Sequence, residues 1–151
     1  MRGFTLLELL VVLAILVLLG TLALKPLATF RAKEALDASV TQVLSILHEA
    51  RESTLASKDD TVYGVHFESL RVVLFAGATY SEGAQTNKEY ELPSSVEIST
   101  INIVGGSNVV FERLTGETSN TGEVVLSGVN YDVGERTIAI KSTGLANQVY
   151  E

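Results

Sequence analysis

The chain has no cysteine. That absence excludes disulfides, thiol nucleophiles and thiolate metal ligands together. It leaves the compartment open, because a small exported domain folds with or without such staples. Histidine is scarce, with only His48 and His66. Neither belongs to an HExxH pattern or has a patterned carboxylate partner, so each reads as a solvated or pocketed side chain. No glycine-rich phosphate loop follows a strand ahead of a helix, since "VGGSN" is a turn, and the serines lack a nucleophile elbow. "NYDVGE", Asn130 to Glu135, places acceptor oxygens at alternate positions and could clasp Ca²⁺. It lacks the twelve-residue ligand set and reads as a turn. No catalytic, cofactor or metal site is expected, and neither is an enzyme. There is no internal repeat and no low-complexity tract.

Basic residues are few where it matters. The 151 residues carry a formal net charge of -7. Up to Ser57 five basic residues balance five acidic ones; from Lys58 onward there are six basic and thirteen acidic, so the distal part holds the whole imbalance. Such a surface repels phosphate backbones, and nucleic acid is an unlikely partner.

What the chain does have is a long aliphatic run at its start. Leu9 to Leu24 contains no charged residue, and "GFTLLELLVVLAILVLLG", Gly3 to Gly20, carries one carboxylate, Glu8. Phe4 to Leu24 is about 21 residues, roughly 30 Å as a helix, which matches the hydrocarbon core of a bilayer. Gly20 and Pro26 bracket the end of the run and weaken the helix there, Gly by backbone entropy and Pro by removing a donor.

The helical pattern resumes past Pro26. Leu36, Val40, Val43, Leu44 and Leu47 make one apolar stripe, with Leu55 two turns later; Glu34, Thr41, Ser45, His48 and Glu52 take the opposite side. One long helix is expected from about Phe4 to about Ala56. After "SKDD" the period changes. "VYGVHF" and "LRVVLFAG" read as a hairpin, "TYSEGAQTNK" as a polar loop, and "EYELP", "VEISTINIV", "NVVFERL", "EVVLSG" and "RTIAIKSTG" as further strands separated by Gly-containing turns. This is an α+β pattern of five to seven strands: a long N-terminal helix, half membrane and half amphipathic, packed on a small antiparallel β-sheet or β-sandwich head. The stripe on the helix would cover the apolar face of the sheet.

The opening segment admits three readings. A plain single-span anchor is one. A secretory signal peptide is another, with Arg2, an apolar run and Ala23 before a cut. Against it stand the length of the run, the position of Glu8, the poor site at Lys25-Pro26 and the helix that cleavage would strand. In the third, "GFTLLE" followed by the aliphatic run closely resembles the class III signal peptides of type IV pilins and type II secretion pseudopilins. The resemblance implies a leader at 1–3, a membrane half of the helix at 4–25, an amphipathic half at 26–57 and a β-rich head at 58–151. It implies cleavage after Gly3 by a membrane-embedded prepilin peptidase, and N-methylation of Phe4. It implies a single pass of the inner, cytoplasmic membrane with the head on the periplasmic side.

An isolated acid in a membrane helix costs about 2.5–3.5 kcal/mol on insertion scales. Cleavage would give Glu8 a partner, the new ammonium on Phe4 of a neighbouring subunit, in a pair that also sets axial register. The plainer alternative is that Glu8 snorkels at the membrane edge. In the same family the helix between a glycine and a proline unwinds on assembly, here Gly20 to Pro26; the plainer alternative is a simple kink. The order of the distal segments, from "ARESTLASKDDTVYGVHF" to "VVFERLTGETSNTGEVVLSG" and "RTIAIKSTGLANQVY", resembles the minor pseudopilin H group and FimT-type minor pilins. The implied function is a structural subunit of a type II secretion pseudopilus. The alternative is a minor pilin of a type IV pilus for DNA uptake, adhesion or motility. Partners would be other pilin-like subunits in a helical filament, the peptidase, the inner-membrane assembly platform and lipid.

Overall fold

The computed structural model describes residues 4–149, apart from the side chains of 21–26. Leu6–Leu55 form one α-helix, α1, of 50 residues, about 75 Å long at 1.5 Å per residue. Leu and Ala flanks of good propensity carry it through Gly20 and Pro26 without interruption; a proline withdraws a single backbone donor, and the neighbouring turns outvote it. The helix stops where Ala56 returns its N–H to the carbonyl of Glu52 at 2.8 Å and Ser57 swings to φ 49. Asp59 and Asp60 are left-handed as well. Their side chains hold the turn in place: Tyr63 Oη donates to Asp59 Oδ2 at 2.7 Å, and Arg113 Nη2 to Asp60 Oδ1 at 2.7 Å.

Eight strands follow among the described residues: β1 Tyr63–Phe67, β2 Arg71–Ala76, β3 Lys88–Glu91, β4 Val96–Ile103, β5 Asn108–Val110, β6 Gly122–Gly128, β7 Glu135–Ile140 and β8 Ala146–Val149. They make two four-stranded sheets, ordered β3-β2-β1-β5 and β4-β6-β7-β8, and the paired strands run antiparallel. The chain therefore crosses to the second sheet for β4, returns for β5 and crosses again for β6. A backbone bond from Ile98 N–H to Ser69 O at 2.8 Å links the two sheets, while Phe67 N–H to Ser107 O and Val104 N–H to Thr121 O, both at 2.9 Å, extend the β1–β5 and β4–β6 pairings.

One core joins the helix to both sheets. Leu36, Val40, Val43, Leu47 and Ala50 of α1 meet Val65, Phe67, Val72 and Val109 of the first sheet and Val96, Val124, Leu126 and Ile138 of the second. The helix half that the head covers is thus the half read as amphipathic. The stripe needs one correction. Leu55 is 38% exposed, and its neighbour Thr54 is fully buried instead. Eight residues from Leu47 are 2.2 turns, which leaves Leu55 about 80° round the helix. Ala32, Ile46 and Ala50 join the buried face, and Leu44 is only half-buried. The strand count also changes, because "ANQV" forms β8 on the edge of the second sheet. Its polar residues gave no strand signal; pairing with β7 supplies what propensity does not.

Polar attachments hold the head to the helix along its length, three of them made by basic side chains. Arg136 Nε reaches Asp37 Oδ1 at 2.8 Å, Lys88 Nζ reaches Glu49 Oε1 at 2.8 Å, and Arg51 Nε donates to Gly116 O at 3.0 Å. Exposed ion pairs of this kind contribute at most about 1 kcal/mol each, so they fix orientation more than stability.

Candidate functional site

The start of α1 is built from Thr5 and Glu8. Thr5 is the N-cap, with extended backbone at φ -81 and ψ 151. Its Oγ1 accepts the N–H of Glu8 at 3.2 Å, and its carbonyl accepts the N–H of Leu9 at 3.2 Å. Thr-Leu-Leu-Glu is the spacing of a capping box, a signal present in the sequence and passed over there. Only half of the box is closed: no bond runs from the Thr5 N–H to the Glu8 carboxylate among the described residues. Placed in the first turn, the carboxylate gains from the helix dipole, a contribution of about 0.3–1 kcal/mol. Glu8 is exposed, and no basic side chain among the described residues lies within ion-pair reach of it.

Phe4 lies outside the helix, just ahead of the cap, and is 81% exposed. The structure brings Phe4 and Glu8 to the same end of α1 without joining them. Gly3, the other residue of the expected cleavage site, falls outside the described residues, as does the rest of the leader. From Leu6 to Leu19 every large aliphatic side chain is about half exposed or more. No face of this stretch is covered by the head, so all of it is available to lipid or to other helices. Among the described residues no helix is long and apolar enough to cross a membrane. The described apolar stretch ends at Gly20, since the side chains of residues 21–26 lie outside that set. A Cβ added at Gly20 would meet nothing within 4 Å. Pro26 is helical in backbone, within α1.

The head carries a second polar cluster on the outer face of the first sheet. His66 stacks on Tyr80, ring centroids 3.9 Å apart and 9° from parallel. Its Nδ1 lies 2.6 Å from Asn108 Oδ1 and its Nε2 3.5 Å from Glu68 Oε1. Glu68 in turn takes two hydrogen bonds from Arg71, at 2.8 and 2.9 Å, and Arg71 also reaches Glu89 at 3.0 Å and Glu82 at 3.6 Å. The Arg71 hydrogen bonds hold the Glu68 carboxyl below its ordinary value, against the opposing pull of burial. Burial raises the Tyr80 phenol, whose Oη is buried with no hydrogen-bond partner among the described residues. No sequence pattern announced the cluster, because His66, Tyr80, Glu89 and Asn108 meet only through the pairing of β1 with β2 and β5 and of β2 with β3. His48 is exposed on the polar side of the helix.

Residues 130–134 form no regular element, Asn130 standing at φ 63 and Val133 returning its N–H to Tyr131 O at 3.0 Å. Among the described residues no three side chains of the His, Cys, Asp and Glu kind are grouped to hold a metal ion.

Comparison with known proteins bears on the N-terminal site. Residues 1–24 match the family model described as the prokaryotic N-terminal methylation motif, a type IV pilin-like signal. A motif of this kind indicates a pilin-like structural subunit, anchored in a membrane and assembled with other pilins after processing by a prepilin peptidase. No curated protein and no solved structure matches the chain.

Proposed function

We propose that this chain is a minor subunit of a type II secretion pseudopilus, of the pseudopilin H or FimT-like kind. In this reading it is cut after Gly3, N-methylated on Phe4 and built into the fibre through α1. Phe4 to Leu24 anchors it in the cytoplasmic membrane before assembly, with the head on the periplasmic side. Glu8 of one subunit pairs with the new Phe4 ammonium of the next, and the segment from Gly20 to Pro26 unwinds in the fibre. A minor pilin of a type IV pilus is the alternative, and for DNA capture the acidic head weighs against it.

The observation that carries the reading is the state of Glu8. It is an acid at the head of an uncovered apolar helix, capped through its N–H by Thr5, and no cation among the described residues reaches its carboxylate. A charge in such a place is costly unless a partner arrives, and the partner that the methylation motif would supply is an amine four residues away in sequence. Two measurements test this. Mass spectrometry of the mature protein is expected to find N-methyl-Phe4 as the first residue; intact Met1 or a start near Leu24 rejects it. Glu8→Ala is expected to enter the membrane and fold as before but to be lost from filaments. Normal incorporation of that variant leaves Glu8 only its dipole role.

A further inference from the structure

We propose that the head has a binding site for anionic phospholipid headgroups, formed by Phe30 and Lys33 of α1 and the 131–136 segment; it rests on the membrane-anchored reading above. An open hollow of about 640 Å³ lies there, lined by Thr29, Phe30, Lys33, Asp132, Val133 and Arg136. Phe30 is 60% exposed, Leu27 is exposed one helical turn before it, and Tyr131 is exposed next to Asp132 of the facing turn. These are large apolar side chains on the stretch of α1 that leaves the apolar run and on the turn facing it.

Height fixes the kind of partner. Phe30 is six residues beyond Leu24, about 9 Å along the helix. The polar layer on each side of a bilayer is about 5–8 Å deep. A helix that spans to Leu24 therefore puts Leu27 in the headgroup layer, Phe30 at its outer margin and the Lys33 backbone about 13.5 Å beyond Leu24, from where a long basic side chain reaches back toward the phosphates.

Charge agrees. Lys25, Arg31 and Lys33 place three cations within nine residues of a chain whose net charge is -7. Lys33 has no ion-pair partner among the described residues. Arg136 uses Nε on Asp37 and Nη1 on the Glu135 carbonyl, which holds the guanidinium at the rim of the hollow; its third nitrogen has no partner among the described residues. Glu34, Asp132 and Glu135 are the opposing charges nearby, and Asp37 is neutralised by Arg136. An exposed aromatic ring beside Lys33, a cation of the hollow with no ion-pair partner among the described residues, suits a phosphate diester with glycerol beneath it. The "NYDVGE" turn thereby acquires an anion-facing role through Arg136, its immediate neighbour, in place of the Ca²⁺ role its oxygens suggested.

The full-length chain is placed one per nanodisc, in phosphatidylcholine alone or with phosphatidylglycerol, and amide exchange is followed in residues 129–136, with 114–121 as the internal control. Phosphatidylglycerol is expected to slow exchange in 129–136 by at least about threefold and to leave 114–121 unchanged. Lys33→Glu, an exposed position, is expected to abolish the difference. Soluble glycerol 3-phosphate added to phosphatidylcholine discs is expected to do nothing; if it reproduces the protection, the site takes a free phosphate ester and lipid docking is rejected. Equal exchange in both discs overturns the site while leaving the anchor standing. Protection that rises in phosphatidylcholine alone when discs hold several chains assigns the hollow to a second copy, and also overturns it. Failure of the chain to enter either disc rejects the anchor itself.

Discussion

The hydroxyl of Thr54 accepts the N–H of Tyr63 at 2.8 Å and donates to the carbonyl of Ala50 at 2.9 Å. The last buried turn of the helix is thus bonded directly to the first residue of the first strand, across a turn of left-handed residues. Thr54→Val removes the only acceptor shown for a buried backbone donor, which costs about 1–3 kcal/mol. Thr54→Ser keeps both bonds and loses one methyl, about 1 kcal/mol. Urea denaturation of the full chain in detergent is expected to rank wild type above Ser and Ser above Val. Val at or above Ser in that ranking would mean that volume, and not the hydrogen bond, sets the energetics there.

Thr54 also marks where the sequence stopped being legible. The stripe Leu36, Val40, Val43 and Leu47 reads straight from periodicity, since aliphatic side chains at helical spacing have little else to do. Its last member does not, because a buried threonine looks polar until its hydroxyl is seen to serve a strand. The seven β-branched and aromatic runs were visible as strands for the same reason the stripe was. β8 was hidden because Asn147 and Gln148 are strand residues only through their neighbour β7. The sorting of strands into two sheets depends on crossings between distant segments, which no local pattern encodes. At the candidate site, Glu8 and its aliphatic setting were plain in the sequence, whereas the half-closed cap depends on atomic geometry.

Gly144 and Gly83 separate backbone strain from steric conflict. Both sit at φ +73, so alanine at either position carries the same left-handed cost, about 1–2 kcal/mol. A Cβ on Gly83 would meet nothing within 4 Å, while one on Gly144 would fall 1.8 Å from the carbonyl oxygen of Gly116. That carbonyl is held in place by Arg51, so it cannot retreat without breaking a tether between helix and head. Gly144→Ala is expected to lose about 3 kcal/mol or more and Gly83→Ala only the backbone share, by the same urea assay. Similar losses at both would show that the 142–145 turn moves aside freely.

Glu68 gives the head a specific response to acid. Its carboxyl is held below the ordinary glutamate value of 4.5, chiefly by the hydrogen bonds of Arg71. A depressed folded-state value means that the contribution is present above the ordinary carboxylate range and fades as pH falls through the folded value. The side chain is about a third exposed, so solvent screening keeps the contribution at or below about 1 kcal/mol. Glu68→Gln cannot ionise. Its stability deficit relative to wild type is expected at about pH 7 and should close as pH falls through the folded value. A deficit that stays constant over that range would assign the loss to hydrogen-bond geometry alone.

The proposed unwinding between Gly20 and Pro26 can be tested at Gly20 because the site is sterically open. With nothing within 4 Å of an added Cβ, Gly20→Ala disturbs no packing in the subunit and acts only through helix propensity, about 1 kcal/mol in favour of the helix. The isolated subunit already has helix there, so the substitution leaves its membrane fraction and head stability unchanged. A fibre that requires the segment to open must supply that extra free energy in every copy. Incorporation of Gly20→Ala is therefore expected to fall by about fivefold in competition with wild type, since 1.4 kcal/mol is a factor of ten. Gly20→Ser, with lower helix propensity, should lie between the two. If all three enter filaments alike, α1 stays helical through this segment on assembly, and Gly20 is simply a residue that a membrane helix tolerates.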